Sequence, residues 1–204
     1  DRTVAALESY IGLVEVGVGL LPAGGGSKEF AVRAAEEVRR GANGSQIDQL
    51  PFVRTYFQTI ATATVAKSAL EAKELGYLKA SDVVVLNAYE LLHVAKSQAL
   101  ALADAGYRPP LPARNVPVAG KTGIATLRMM LVNMRDGGFI SAYDFEIGLR
   151  VARVLCGGDV ESGSLVDEKW LLDLERREFM ELLRNDRTQA RIAHTLKTGK
   201  PLRN

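Results

Sequence analysis

The 204-residue sequence predicts a mainly α-helical protein with only short strands. Apolar residues recur at intervals of three and four residues through most of the chain, which is typical of helices that pack along one face. Several of these stretches follow a Ser, Asp or Asn that can cap a helix. A composition of 47% hydrophobic and 25% charged residues is ordinary for one globular domain or one large piece of a domain.

Local signals predict the elements of the first half. Residues 10–21 carry too many glycines for a regular strand and predict short extended pieces. Ser27 is expected to cap a helix that stops at Gly41, Pro51 to open the next helix, and Asn87 to cap a long one. The predicted elements are helices over 28–40, 51–66, 69–75 and 88–105, a polar loop or short helix over 42–50, and a short strand over 82–86.

Prolines 109, 110, 112 and 117 predict an irregular connection over 109–119, the best internal boundary of the chain. It separates residues 1–108 from a carboxy-terminal group of helices in 120–204. Ser141 and Asp167 are the expected caps of two of those helices. The helices are predicted over 121–135, 141–156, 167–184 and 187–198.

Bulk properties exclude some classes of function. A formal charge of +2 implies no large electropositive field for nucleic acid. No apolar run reaches the roughly 18 residues of a membrane helix. One cysteine, Cys156, allows no internal disulfide, and we expect a cytoplasmic protein. Because the chain starts at Asp1 and its first methionine is Met129, we expect a longer parent.

Glu15 is the strongest candidate for a catalytic residue. It lies in an almost wholly apolar run over residues 10–22, followed by a glycine-rich turn and a helix. A buried, unpaired carboxylate is costly when charged, so its pKa should rise, which suits proton transfer near neutral pH. An acid on a strand edge with its head in water remains an equally open interpretation.

Three segments resemble the crotonase (enoyl-CoA hydratase/isomerase) superfamily. In the first, that family's acid, a glycine four residues on and a proline seven residues on match Glu15, Gly19 and Pro22, before the turn Gly24–Gly25–Gly26. Residues 69–78 resemble a later helix and turn, and residues 175–201 the last two helices. The closer resemblance is to a bacterial branch in which a 3-hydroxyacyl-CoA dehydrogenase precedes a crotonase-like domain in one β-oxidation polypeptide.

The resemblance implies that residues 1–204 are the carboxy-terminal helical part of an α/β crotonase (ββα-spiral) domain. It implies a catalytic role for Glu15, acyl-CoA as substrate, and substrate contacts at the residues Pro22, Ala23, Gly24, Lys197 and Lys200. Ala23 departs from the glycine common in hydratases, so its methyl group could crowd the water site. The basic residues near the carboxy terminus are open to a second interpretation, that of a solvated tail.

The resemblance also implies parts that lie outside this chain. The family's two oxyanion N–H groups precede the segment that matches Glu15, as does a dehydrogenase part that uses NAD, so this chain alone should be inactive and hold no cofactor or metal. The upstream dehydrogenase portion is an expected partner, and a homo-oligomer is expected. The alternative function is a non-catalytic helical module for oligomerisation or assembly.

Overall fold

The computed structural model describes residues 2–41 and 48–204, and it confirms the predicted mainly α-helical class. The described α-helices are α1 Gly26–Gly41, α2 Leu50–Ala61, α3 Ala69–Glu74, α4 Leu91–Asp104, α5 Gly120–Asp136, α6 Ala142–Leu155, α7 Glu168–Leu183 and α8 Asp186–Thr198. Short 3₁₀ turns cover Glu15–Val18 and Ala88–Glu90. None of these helices is long and apolar enough to cross a membrane.

The strands are very short and pair two by two. They are β1 Val4–Ala6, β2 Ile11–Gly12, β3 Val65–Ala66, β4 Val83–Val85, β5 Val116–Pro117 and β6 Leu165–Val166. Strands β1 and β4 are parallel, with Ala5 opposite Val84. The pairs β2–β3 and β5–β6 are antiparallel.

The chain divides into two compact units that each combine distant stretches of sequence. One unit contains Asp1–Gly12 and Val65–Leu111, and the other contains Leu13–Thr64 and Pro112–Asn204. The division after Leu111 lies inside the predicted proline-rich connection, whereas those after Gly12 and Thr64 had no signal in the sequence.

Each unit has its own core. The smaller unit packs Ala5, Ala66, Ala69, Ala72 and Leu78 together. In the larger unit α6 lies centrally and packs against α1, α2, α5 and α7. Its Tyr143 and Val151 are fully buried. The apolar faces of these helices stabilise the unit because they are removed from water together.

Several predicted boundaries are correct. Ser141 caps α6 through a reciprocal capping box with Asp144, and Asp167 caps α7 by accepting from the Trp170 N–H. Asn87 also caps as expected, although it caps the turn Ala88–Glu90 that leads into α4. These caps satisfy N–H groups that have no partner inside the helix.

Other predictions are wrong. The helix expected to reach residue 66 ends at Ala61, because Ala63 adopts a left-handed conformation with φ of 50° and the next residues form β3. Ser27 does not cap α1. It lies inside that helix, and its hydroxyl donates to the carbonyl of Pro22. Of the predicted loop or helix over 42–50, residues 42–47 lie outside the described residues.

Candidate functional site

The predicted catalytic acid opens a turn rather than a strand. Residues 15–18 form the 3₁₀ turn, which ends at Gly19 with φ of 85°. The N–H groups of Gly19 and Leu20 donate back to the carbonyls of Val16 and Glu15, both at 3.1 Å. A left-handed residue at this point is strained unless it is glycine, so Gly19 permits the turn that presents Glu15.

Helix α8 holds this turn in place. The hydroxyl of Thr188 donates to the carbonyl of Gly19 at 2.7 Å, and the hydroxyl of Tyr143 lies 2.6 Å from that of Thr188. A β-carbon added to Gly19 would lie 2.8 Å from Thr188 Oγ1 and 3.2 Å from Arg191 Cδ. Glycine is therefore required by space as well as by backbone conformation.

Glu15 faces an open groove. Its Oε2 atom is buried and accepts no hydrogen bond from residues 2–41 and 48–204. The groove has a volume of about 580 Å³. It is lined by Glu15, Ala23, Gly24, Leu172, Asp173, Glu175, Arg176 and Phe179. A carboxylate oxygen buried without a partner is costly, and such exceptions concentrate where a ligand completes the site.

The glycine-rich turn beside Glu15 is fixed by an acid from the far end of the sequence. Glu175 is 1% exposed, and its two oxygens accept from the N–H groups of Gly25 at 2.9 Å and Lys28 at 2.7 Å. A carboxylate suits this place because the first N–H groups of α1 have no partner within the helix. Burial raises the pKa of Glu175, and the hydrogen bonds from Lys28 and Gly25 oppose that rise.

Helical periodicity in the sequence is a signal that could have identified Glu175. Along α7 the buried positions are Leu171, Leu174, Glu175, Glu178 and Leu182, so two acids occupy the helical stripe that faces the core. A buried acid needs a partner. Glu178 finds one in Arg150, at 3.0 Å, and Glu175 finds the start of α1.

The structure brings together only part of the predicted site. Ala23 and Gly24 line the groove with Glu15, and Gly24 is exposed. Pro22 is buried behind the turn, where its carbonyl accepts from Ser27. The predicted CoA contacts Lys197 and Lys200 are exposed at the end of α8 and do not line the groove.

The groove is lined by three carboxyl groups and one guanidinium, and such groups suit a polar ligand. One acid, Glu15, has an unpartnered oxygen, and Arg176 on α7 is exposed with no ion-pair partner among the described residues. Nothing lies within 4 Å of a β-carbon built on Gly24, so a ligand can approach the backbone there. Such an arrangement can exchange a proton with a ligand while a guanidinium holds an oxygen of it.

Comparison with known proteins gives one relative. The chain is 44% identical over 203 residues to a protein of Bacillus subtilis (strain 168) described as a probable 3-hydroxyacyl-CoA dehydrogenase. The alignment covers 100% of this chain and 25% of the relative, so the chain spans about a quarter of the relative's length. No family model matches the sequence. No solved structure matches it either. By the alignment, the chain is similar to one part of this relative.

Proposed function

We propose that the chain is part of a fatty acid β-oxidation protein in which a 3-hydroxyacyl-CoA dehydrogenase is joined to a crotonase-like domain. The 44% identity along the whole chain to a probable 3-hydroxyacyl-CoA dehydrogenase supports the first half of this proposal. The spacing of Glu15, Gly19 and Pro22 supports the second. In the parent, NAD serves the dehydrogenase portion, and residues 1–204 belong to the domain that acts on enoyl-CoA.

The observation that carries the proposal is that Glu15 lines the groove and that its Oε2 atom is buried without a hydrogen-bond partner among the described residues. In hydration of a 2-enoyl-CoA this carboxylate takes a proton from water as the water oxygen adds to the double bond, and the resulting carboxylic acid then delivers that proton to the neighbouring carbon, which regenerates the carboxylate. A base within hydrogen-bonding reach of water contributes about 10²–10⁴-fold to such a step. Ala23 and Gly24 line the same groove, and we expect them to contact the thioester end of the substrate.

The oxyanion donors are a separate part of the proposal. In the resembled family two backbone N–H groups hold the thioester oxygen, and both precede the segment that matches Glu15. Losing one such donor costs about 3 kcal/mol of transition-state stabilisation. A polypeptide limited to these 204 residues should therefore hydrate crotonyl-CoA only negligibly, whereas the parent should do so at an enzyme-like rate.

The test is the rate of crotonyl-CoA hydration by the parent carrying Glu15→Gln. Turnover should fall by roughly 10²–10⁴-fold, with substrate binding changed much less. Glu181→Gln is the matched control, since Glu181 lies on α7 with an exposed side chain outside the groove. Unchanged hydration by the Glu15→Gln parent would refute the catalytic role.

A second function, assembly, is favoured by the surface of α4. No residue of α4 is buried, and its Leu92 and Leu100 are 81% and 54% exposed. Tyr89, in the turn just before α4, is 100% exposed. Exposed apolar side chains that lie close together commonly mark association surfaces. Sedimentation of the chain should show self-association that Leu92→Asp weakens, while Leu196→Asp on α8 should not alter it. A monomer at all concentrations would refute this function.

A further inference from the structure

A second cavity lies next to the turn that carries Glu15, within the larger unit. It has a volume of about 410 Å³, within the range of about 300–1,000 Å³ typical of small-molecule sites. Its walls include Val16 and Gly17 of the turn, Leu131 of α5, Ile147 of α6, and Leu202 near the carboxy terminus. None of its lining residues lines the groove of Glu15.

The walls of this second cavity are mostly apolar. Ile147 and Leu131 are each only 2% exposed, so they form the buried bottom of the cavity. Phe139, which also lines the cavity, is 74% exposed. A large ring left in water beside an apolar cavity gains stability if a ligand covers it. These features fit the alkyl chain of a ligand.

The charged lining residues leave one net positive charge. Arg191 is 1% exposed and donates to Asp144 at 2.8 Å, so this pair neutralises itself. The buried guanidinium also donates to the side-chain carbonyl of Asn204 at 2.9 Å. Arg203 lines the same cavity, is exposed, and has no ion-pair partner among residues 2–41 and 48–204. A guanidinium in that position suits a carboxylate.

We propose that this cavity binds an amphiphile with a linear alkyl chain and a carboxylate head, that is, a fatty-acid anion. The alkyl chain lies against the apolar walls, and Arg203 pairs with the head. The site is additional to the proposed proton-transfer groove, and its occupancy does not depend on Glu15. Its geometry would serve a free fatty acid regardless of the reaction performed in the groove.

The test is a calorimetric titration of the chain with decanoate. Saturable binding at one site is expected. Gly17→Leu should weaken binding at least about tenfold, because Gly17 lines the cavity and a leucine side chain there would occupy it. The leucine should be tolerated by the fold, since φ of Gly17 lies outside the left-handed region and a β-carbon there meets nothing within 4 Å. Gly24→Leu is the matched control, since Gly24 also has open space but lines the groove instead. Gly17→Ala, a smaller change, should weaken binding less and guards against misfolding.

The variant Arg203→Ala separates the contribution of the ligand's carboxylate head from that of its alkyl chain. It should weaken decanoate binding by about two- to fivefold, as expected of an exposed ion pair, and leave decanol binding unchanged. Absence of saturable decanoate binding would overturn the proposal, as would equal effects of Gly17→Leu and Gly24→Leu. Loss of decanol binding in Arg203→Ala would overturn the role of Arg203. Because Glu15→Gln should leave decanoate binding intact, failure here is distinguishable from failure of the proposed hydratase function.

Discussion

Replacing Gly19 by alanine should destabilise the protein far more than the same replacement two residues earlier. At Gly19 the backbone is left-handed, and the new β-carbon would lie 2.8 Å from Thr188 Oγ1 and 3.2 Å from Thr188 Cα. At Gly17 the added carbon meets nothing within 4 Å, and φ lies outside the left-handed region. The two substitutions share one turn and one chemistry, so their difference isolates strain and crowding.

The magnitude follows from three costs and one gain. A left-handed conformation costs alanine about 1–2 kcal/mol, and overpacking costs about 1–3 kcal/mol. If Thr188 moves away, its hydrogen bond to the Gly19 carbonyl, worth about 1 kcal/mol, is lost as well. Alanine offsets about 0.4–1 kcal/mol of these costs, because it lowers the conformational entropy of the unfolded chain relative to glycine. We expect Gly19→Ala to lower the free energy of unfolding by about 2–6 kcal/mol and Gly17→Ala to change it by less than about 1 kcal/mol.

Thermal unfolding followed by circular dichroism measures the difference, at roughly 2–4 °C per kcal/mol for a chain of this size. Gly19→Ala should melt clearly below the native protein, and Gly17→Ala close to it. Equal melting temperatures for the two variants would refute the argument that α8 packs against the turn through Gly19. Thr188→Ser keeps the hydroxyl and should melt near the native protein, because the hydrogen bond survives.

Glu175→Gln should lower the free energy of unfolding by about 1–2 kcal/mol in urea titrations, because the start of α1 loses its anionic acceptor, and the exposed Glu181→Gln should not. Asp144→Asn should cost about 1–3 kcal/mol at pH 7. Burial alone would raise the pKa of Asp144, but hydrogen bonds from Ser141 and Arg191 outweigh it and hold that pKa below its ordinary value. The stabilisation is therefore complete at a pH well above the ordinary Asp pKa and is lost as pH falls through the lowered pKa, so melts of native protein and variant should converge in acid. Glu15→Gln should raise the free energy of unfolding by about 0.5–2 kcal/mol while lowering the turnover of the parent by about 10²–10⁴-fold, because it replaces a carboxyl group whose Oε2 atom is buried without a partner; a destabilised variant would count against that burial.

Helices could be predicted because their signals are local. Ser141 and Asp167 precede apolar periodic stretches, and both cap the expected helices. The end of α2 could not be predicted, since it depends on the pairing of β3 with β2, more than fifty residues away in sequence. Ser27 has the residue type of a cap, but Glu175 occupies that role from α7. Long-range partners override local preference at both places.

The candidate site was predictable only where its residues lie close together in the sequence. Glu15 stands out because a charge interrupts an apolar run, and Ala23 and Gly24 follow it closely in sequence. Asp173 and Arg176 complete the groove from a helix about 150 residues later, and no spacing rule connects them to Glu15. Whether Glu15 is the catalytic base stays a prediction until the Glu15→Gln parent is assayed.

The link between Glu175 and the start of α1 has a consequence for the order of folding. It joins Gly25 to a residue 150 positions later, and Thr188 joins Gly19 across 169 positions. Contacts of such sequence separation close large loops and form slowly. On a ribosome, where synthesis proceeds from the amino terminus, the turn around Glu15 emerges long before either partner exists. The groove is therefore among the last parts to form, and a nascent chain paused before α7 should lack both the α7 wall of the groove and the anchor of its glycine-rich turn.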